Sequence, residues 1–308
     1  MPRVIGRVAT TLAVTLAAAY GAGAALLWHF PDRFLPFPEP EARQNPGMAG
    51  LRYTDVWLHA GPHRQWVHGW FLPNGRHAPV VLLLHGTGRT IGDMVHVAAA
   101  IHAAGAAVLM IDYRGLGRSS RAALTERTMV EDAEAAWHEL RWHQPDPALR
   151  LVYGHSLGGA IALELAARYP DANGVVVEGA PTSVAALLRE TWVARIWPVD
   201  LLLGGRFDAA AKVRRVAAPL LVIHGRRDAI VPPAMGVELY LRATGRKRLL
   251  LVEEAAHSDA ATVAAADYRA AFERWLPPLR GPALARVWEP GDRFALSSGG
   301  FPTRSEIP

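Results

Sequence analysis

Three kinds of hydrophobic patterning follow one another along the chain. Residues 8–28 carry no charge and show no amphipathic stripe, as in a helix surrounded by apolar material. Residues 51–59 and 65–72 alternate apolar and polar positions about a Gly61-Pro62 turn, which predicts an antiparallel hairpin. From residue 79 onward, short runs that are apolar almost throughout recur at 79–86, 106–112, 151–153, 174–178, 219–225 and 248–252. Such runs predict strands buried on both faces. Between them lie stretches of helical composition at 92–104, 129–143, 160–168, 233–243 and 260–275. Gly105 ends the first of these, and Pro145 and Pro147 end the second. Glu131 and Asp132 are expected in the first turn of the second, where acidic groups favour the helix dipole. Strands alternating with helices at this rhythm predict an α/β fold, a mostly parallel central sheet with helices on both faces. A short helical insert at 182–215 precedes the strand at 219–225.

The pattern divides the chain into four parts. Residues 1–30 form an amino-terminal anchor, because a helix over 8–28 at ~1.5 Å per residue matches the ~30 Å hydrocarbon core of a bilayer. Arg3 and Arg7 before the span place the amino terminus in the cytoplasm and the remainder of the chain beyond the membrane. Trp28 and Phe30 suit the far interface. The alternative is a signal peptide cleaved near Ala22-Gly23-Ala24, which leaves a secreted or periplasmic protein. Residues 31–50 are a proline-rich connector, 51–276 the α/β domain, and 277–308 a tail rich in proline, glycine and serine.

Composition removes several function classes. The formal net charge of +5 over 308 residues is scattered rather than gathered into a run, so no nucleic-acid partner is expected. Cysteine is absent, which excludes disulfides, cysteine nucleophiles and thiolate metal sites. The 13 histidines show no ligand spacing and no HExxH motif occurs, so neither a metal nor a cofactor is expected.

The candidate chemistry centres on Gly154-His155-Ser156-Leu157-Gly158. Gly-x-Ser-x-Gly between a strand and a helix is a nucleophile elbow: the serine sits on a strained turn at the carboxyl end of the sheet, and the flanking positions must be small. A serine hydroxyl needs a base to take its proton and an acid to orient that base. In such a sheet both stand on loops after later strands, in the order Ser, acid, His. Asp228 directly follows the strand at 219–225, and His257 follows the strand at 248–252. The expected triad is therefore Ser156, Asp228 and His257. Asp112 ends a strand before the elbow and is expected to be structural, pairing with Arg114. Asp259 suits capping of the last helix, and Glu253 and Glu254 are expected to be solvated. The oxyanion hole is expected from the backbone N–H of Leu157 and of Thr87 in the loop after His85-Gly86. His85 and His224 are expected to be structural, and His155 to point away from the serine.

Together, His85-Gly86, the 112–119 loop, 154–159, His224-Gly225-Arg226-Arg227-Asp228 and His257 resemble the α/β-hydrolase superfamily. Within it the chain looks like membrane-anchored, small-lid serine hydrolases related to depalmitoylases, lysophospholipid lipases and serine aminopeptidases. Those relatives often carry Asn where this chain has Thr87. The resemblance implies hydrolysis of carboxylic esters or thioesters through an acyl-enzyme, on a small-molecule or lipid substrate. A peptidase or amidase of the same fold is the alternative, and a membrane-tethered binding module without catalysis is a third. In the 182–215 insert, Trp192, Trp197, Leu201, Leu202 and Leu203 either line an apolar acyl pocket or pack as the core of short helices.

Overall fold

The structure, a computed structural model, describes residues 2–29, 44–75 and 77–276. Most of the expected connector, and the tail at 277–308, lie outside the described residues. Helix α1 (Pro2–His29) comes first. Strands β1 (Thr54–Ala60) and β2 (Gln65–Leu72) form the expected hairpin. Then follow β3 (Val80–Leu84), α2 (Val95–Ala103), β4 (Ala107–Ile111), α3 (Glu126–His143), β5 (Arg150–His155), α4 (Leu157–Arg168) and β6 (Gly174–Glu178). Four short helices fill the insert: α5 (Val184–Arg189), α6 (Val193–Ile196), α7 (Val199–Leu203) and α8 (Ala209–Lys212). The chain re-enters the sheet as β7 (Leu220–Gly225), continues through α9 (Pro233–Arg242) and β8 (Lys247–Val252), and closes with α10 (Ala260–Val263) and α11 (Ala265–Trp275).

The eight strands lie in the order β1-β2-β4-β3-β5-β6-β7-β8. Only the β1–β2 and β2–β4 pairings are antiparallel. The other five are parallel. This is the predicted α/β sheet, and its all-apolar runs are explained by burial of both faces. Successive residues of each strand serve alternate cores. Leu82, Leu84, Leu109, Val152 and Val177 join one cluster with residues of α3 and α4. Val81, Leu83, Met110, Tyr153 and Val176 join the other with residues of α2 and α11.

Parallel register brings the strand ends to one edge. Leu84 lies opposite Ile111 and Gly154, and His155 lies opposite Glu178. The loops after β3, β5, β6, β7 and β8 therefore open on the same rim, as ligand sites of open α/β sheets do.

Two local expectations are corrected. Helix α3 begins at Glu126 because Thr125 caps it, accepting from the Thr128 amide. Glu131 and Asp132 thus sit in its second turn and clamp Arg114 instead of facing the dipole. The closing helix breaks at Ala264 into α10 and α11. Residues 8–28 do lie within one helix, but among the described residues no helix is long and apolar enough to cross a membrane.

Candidate active site

Ser156 links β5 to α4 with φ 54° and ψ −127°, a backbone region that a residue with a Cβ occupies only under strain of about 1–3 kcal/mol. Close packing holds it there. A Cβ at Gly158 would collide with the backbone oxygens of Leu84 and His85, and one at Gly154 would fall 2.6 Å from the Gly159 Cα. The Ser156 amide donates to the Glu178 carbonyl at 2.8 Å, which ties the turn to β6. These contacts are the physical content of the two elbow glycines.

Asp228 and His257 meet as expected. The His257 Nδ1–H donates to Asp228 Oδ2 at 2.8 Å, leaving Nε2 as the ring's free base position. The other carboxylate oxygen, Oδ1, accepts the amides of Ile230 and Val231 at 2.9 and 2.8 Å. Burial by itself would raise the Asp228 carboxyl. Hydrogen bonds from His224 and His257 and from the Val231 amide outweigh burial and hold it well below the usual carboxylate range. The acid is therefore ionised wherever the imidazole can act as a base. Ser156 Oγ makes no hydrogen bond to His257 among the described contacts, and such bonds commonly tighten only when substrate is bound.

Leu157 is the first residue of α4, so its N–H has no partner within the helix. Across from it, Gly86 packs on the serine so closely that a Cβ there would fall 2.8 Å from Ser156 Cβ. Thr87, next in the chain, is buried. Leu157 thus follows Ser156 directly, and Thr87 follows a glycine packed on Ser156. Asp112 anchors this loop, accepting the Ile91 amide at 2.9 Å with His85 Nε2 3.4 Å away. Asp112 is structural, but it does not pair with Arg114. The Arg114 guanidinium goes to Asp132 and Glu131, and burial leaves the Asp132 carboxyl at about 6 despite that partner.

Three further groups support the rim. His155 does turn from the serine hydroxyl, and its Nε2–H donates to the His257 carbonyl at 2.9 Å. Burial lowers its pKa to about 3, so the ring stays neutral and keeps that single bond. His224 donates from Nε2 to the Val231 carbonyl at 2.9 Å and lies 3.2 Å from Asp228 Oδ2, the oxygen that His257 also uses. Glu178 is buried beneath the elbow, where its Oε2 accepts the hydroxyls of Tyr153 and Tyr268 at 2.8 and 2.7 Å. Burial raises its carboxyl, with the two tyrosine hydroxyls opposing.

The remaining acidic candidates stand apart from this geometry. Glu253 and Glu254 are exposed and pair with Arg226 and Arg227. Asp259 precedes α10, but its carboxylate accepts the Ala256 amide and makes no side-chain cap to the helix. Among the described residues, no group of three or more His, Asp or Glu could hold a metal ion. In the insert, Leu203 is buried in the main core with Leu202 packed against it, whereas Trp192 and Leu201 face solvent. The insert leucines divide between core and surface.

Comparison with known proteins agrees with this fold. Residues 75–203 match the family described as Serine aminopeptidase, S33. An uncharacterized protein of Mycobacterium tuberculosis is 33% identical over 196 residues, which cover 62% of this chain and 68% of that one. The chain belongs to the α/β-hydrolase superfamily. Human alpha/beta hydrolase domain-containing protein 17B is 28% identical over 192 residues, covering 61% of this chain and 62% of that protein. An esterase of Pyrococcus furiosus shares the fold, with a TM-score of 0.65 at 21% identity over 79% of this chain and 98% of that one. As an α/β-hydrolase the chain is a hydrolase by family, and its small insert sits between β6 and β7 on the rim that carries Ser156.

Proposed function

We propose that the chain is a serine hydrolase that cleaves carboxylic esters through an acyl-enzyme. Ser156 is the nucleophile, His257 the general base and then the general acid, and Asp228 the group that orients the imidazole. The amides of Leu157 and Thr87 receive the oxyanion. The observation that carries the reading is the 2.8 Å bond from His257 Nδ1–H to a fully buried, doubly amide-bonded Asp228, on the rim where Ser156 occupies its strained turn. A neutral imidazole held in that tautomer can take the Ser156 proton as the hydroxyl attacks the ester carbonyl. It then returns the proton to the leaving alkoxide, and water repeats the sequence to release the acid.

The match to a serine aminopeptidase family favours amide cleavage as a second reading, because the same constellation serves both bonds. Parallel assays separate the two. Purified protein is expected to turn over p-nitrophenyl esters with a burst of product equal to the enzyme present, and aminoacyl anilides at least ~10²-fold more slowly. Faster release of the anilide than of the ester would reassign the activity to peptidase. Absence of turnover on both, in folded protein, would remove the enzyme reading altogether.

A further inference from the structure

Four acidic residues are buried among the described residues: Asp112, Asp132, Glu178 and Asp228. Three have partners that explain them. Asp132 meets the Arg114 guanidinium, Asp112 the Ile91 amide, and Asp228 the imidazole of His257. Glu178 is answered by two neutral hydroxyls, those of Tyr153 and Tyr268. Neutral donors compensate a buried carboxylate less fully than a cation does, and an apolar side chain at such a place commonly packs as well or better. Stability alone is a poor account of this residue.

Its position supplies another. Glu178 ends β6 and is paired in register with His155, the residue before Ser156. Strand alternation turns its side chain toward the core cluster that holds Val176, Tyr153 and Tyr268. Its carbonyl accepts the Ser156 amide at 2.8 Å, so the same residue holds the strained turn. Gly179, next in the chain, has φ 58°. A Cβ there would fall 3.3 Å from Cε1 and Nδ1 of the His257 ring and 3.2 Å from the His257 carbonyl oxygen. The Gly179 amide donates to the Ile223 carbonyl at 3.0 Å, which fixes this strand end from β7 as well. Residues 178 and 179 thus lie against both the nucleophile and the base. The two tyrosines extend the tie, because Tyr153 stands on β5 three residues before Ser156 and Tyr268 on α11 beyond the His257 loop.

The charge of Glu178 bears on the same pair. When His257 takes the Ser156 proton it becomes a cation. A second carboxylate in these buried surroundings favours that cation more than it would in water. Its neighbours do not cancel it: His155 stays neutral, and burial pushes both tyrosine hydroxyls well up. Burial also raises the Glu178 carboxyl, and the hydroxyls of Tyr268 and Tyr153 and the charges of His257 and His224 oppose that rise. Two donors on one oxygen suit the ionised form.

We propose that Glu178 is a positioning residue for the hydrolytic reaction. Its carboxylate, clamped by Tyr153 and Tyr268, locks the strand end that holds the Ser156 turn and the His257 ring, and its charge favours the cationic imidazole formed during attack. It acts through these two residues and touches no substrate. The proposal rests on the reading of Ser156, His257 and Asp228 as a catalytic triad.

Glu178→Gln tests it, because the amide keeps the shape and can still hydrogen-bond both tyrosines while the charge is lost. In the folded full chain, kcat for a p-nitrophenyl ester is expected to fall about tenfold or more, with KM within about twofold of wild type. Fluorophosphonate labelling of Ser156 is expected to slow by a similar factor. Tyr268→Phe removes one of the two donors and is expected to lower kcat about threefold, again without moving KM. A residue that only stabilises the core would lower the melting temperature and leave kcat per folded molecule unchanged. That outcome in Glu178→Gln overturns the proposal, and so does a raised KM at unchanged kcat. Should Glu178→Gln fail to fold, Tyr268→Phe decides on the same readouts. Wild-type protein that neither hydrolyses the ester nor takes the label rejects the triad reading and this proposal together. An active wild type with an equally active Glu178→Gln rejects this proposal alone.

Discussion

His257→Ala is expected to lower kcat for a p-nitrophenyl ester by on the order of 10⁶-fold while leaving the protein folded. The imidazole donates Nδ1–H to Asp228, which leaves Nε2 as its base position. Without it, Ser156 keeps its proton at neutral pH, and the residual rate is that of the oxyanion donors and binding. The fold is expected to survive because Asp228 retains the amides of Ile230 and Val231, with His224 beside it. Asp228, held well below the usual carboxylate range, stays ionised in mild acid. Steady-state kinetics with a thermal melt measure both parts. A loss of less than ~10²-fold in a folded variant would remove His257 from the role of base.

Gly158→Ala is the second substitution with a large expected effect, and it acts through backbone contact. The new methyl would meet the carbonyl oxygens of Leu84 and His85, which cannot rotate away as a flexible side chain would. Either α4 retreats from β3 or the loop carrying Gly86 and Thr87 shifts. The first costs stability, about 3 kcal/mol at the upper end of overpacking. The second displaces an oxyanion donor, which is worth about 10²–10³ in kcat. Both losses are expected together, read by urea denaturation and by ester kinetics. A variant with wild-type stability and rate would show that strand and helix are not in contact at this point.

The fold was legible because its determinants are local. Each strand buried on both faces announces itself as an unbroken apolar run, as in Val80-Val81-Leu82-Leu83-Leu84. The site was legible for a related reason. Ser156, Asp228 and His257 each stand at or just beyond the end of such a run, so parallel register alone carries them to one edge. What lay beyond the sequence was the company these residues keep. The bond of His155 to the His257 carbonyl spans 102 residues. Nothing in the sequence marks that Tyr153 and Tyr268, from β5 and α11, converge on Glu178 at the end of its strand. The Arg114 partner was mistaken because Asp112 is near in sequence, whereas Asp132 is near in space and meets both the backbone and the guanidinium of Arg114. The start of α3 was missed because its cap, Thr125, is answered by Thr128 rather than by an acidic residue.

Supporting residues of this kind give the elbow its electrostatic setting. A neutral His155 holds the main chain of His257, His224 lies beside Asp228, and Asp112 secures the loop that carries Gly86 and Thr87. None of the three need touch a substrate. Their common effect is to fix the positions of the reacting groups before binding, the condition under which buried dipoles lower a barrier.

Covalent labelling with a fluorophosphonate, read by intact mass and peptide mapping, bears most directly on the central claim that Ser156 is an activated nucleophile. Such a reagent phosphonylates a serine whose proton a neighbouring base removes, and it needs no knowledge of the natural substrate. One adduct per chain, located at Ser156, lost in Ser156→Ala and slowed severely in His257→Ala, is the predicted result. A folded wild-type protein that takes up no label, or takes it up at another residue, would contradict it.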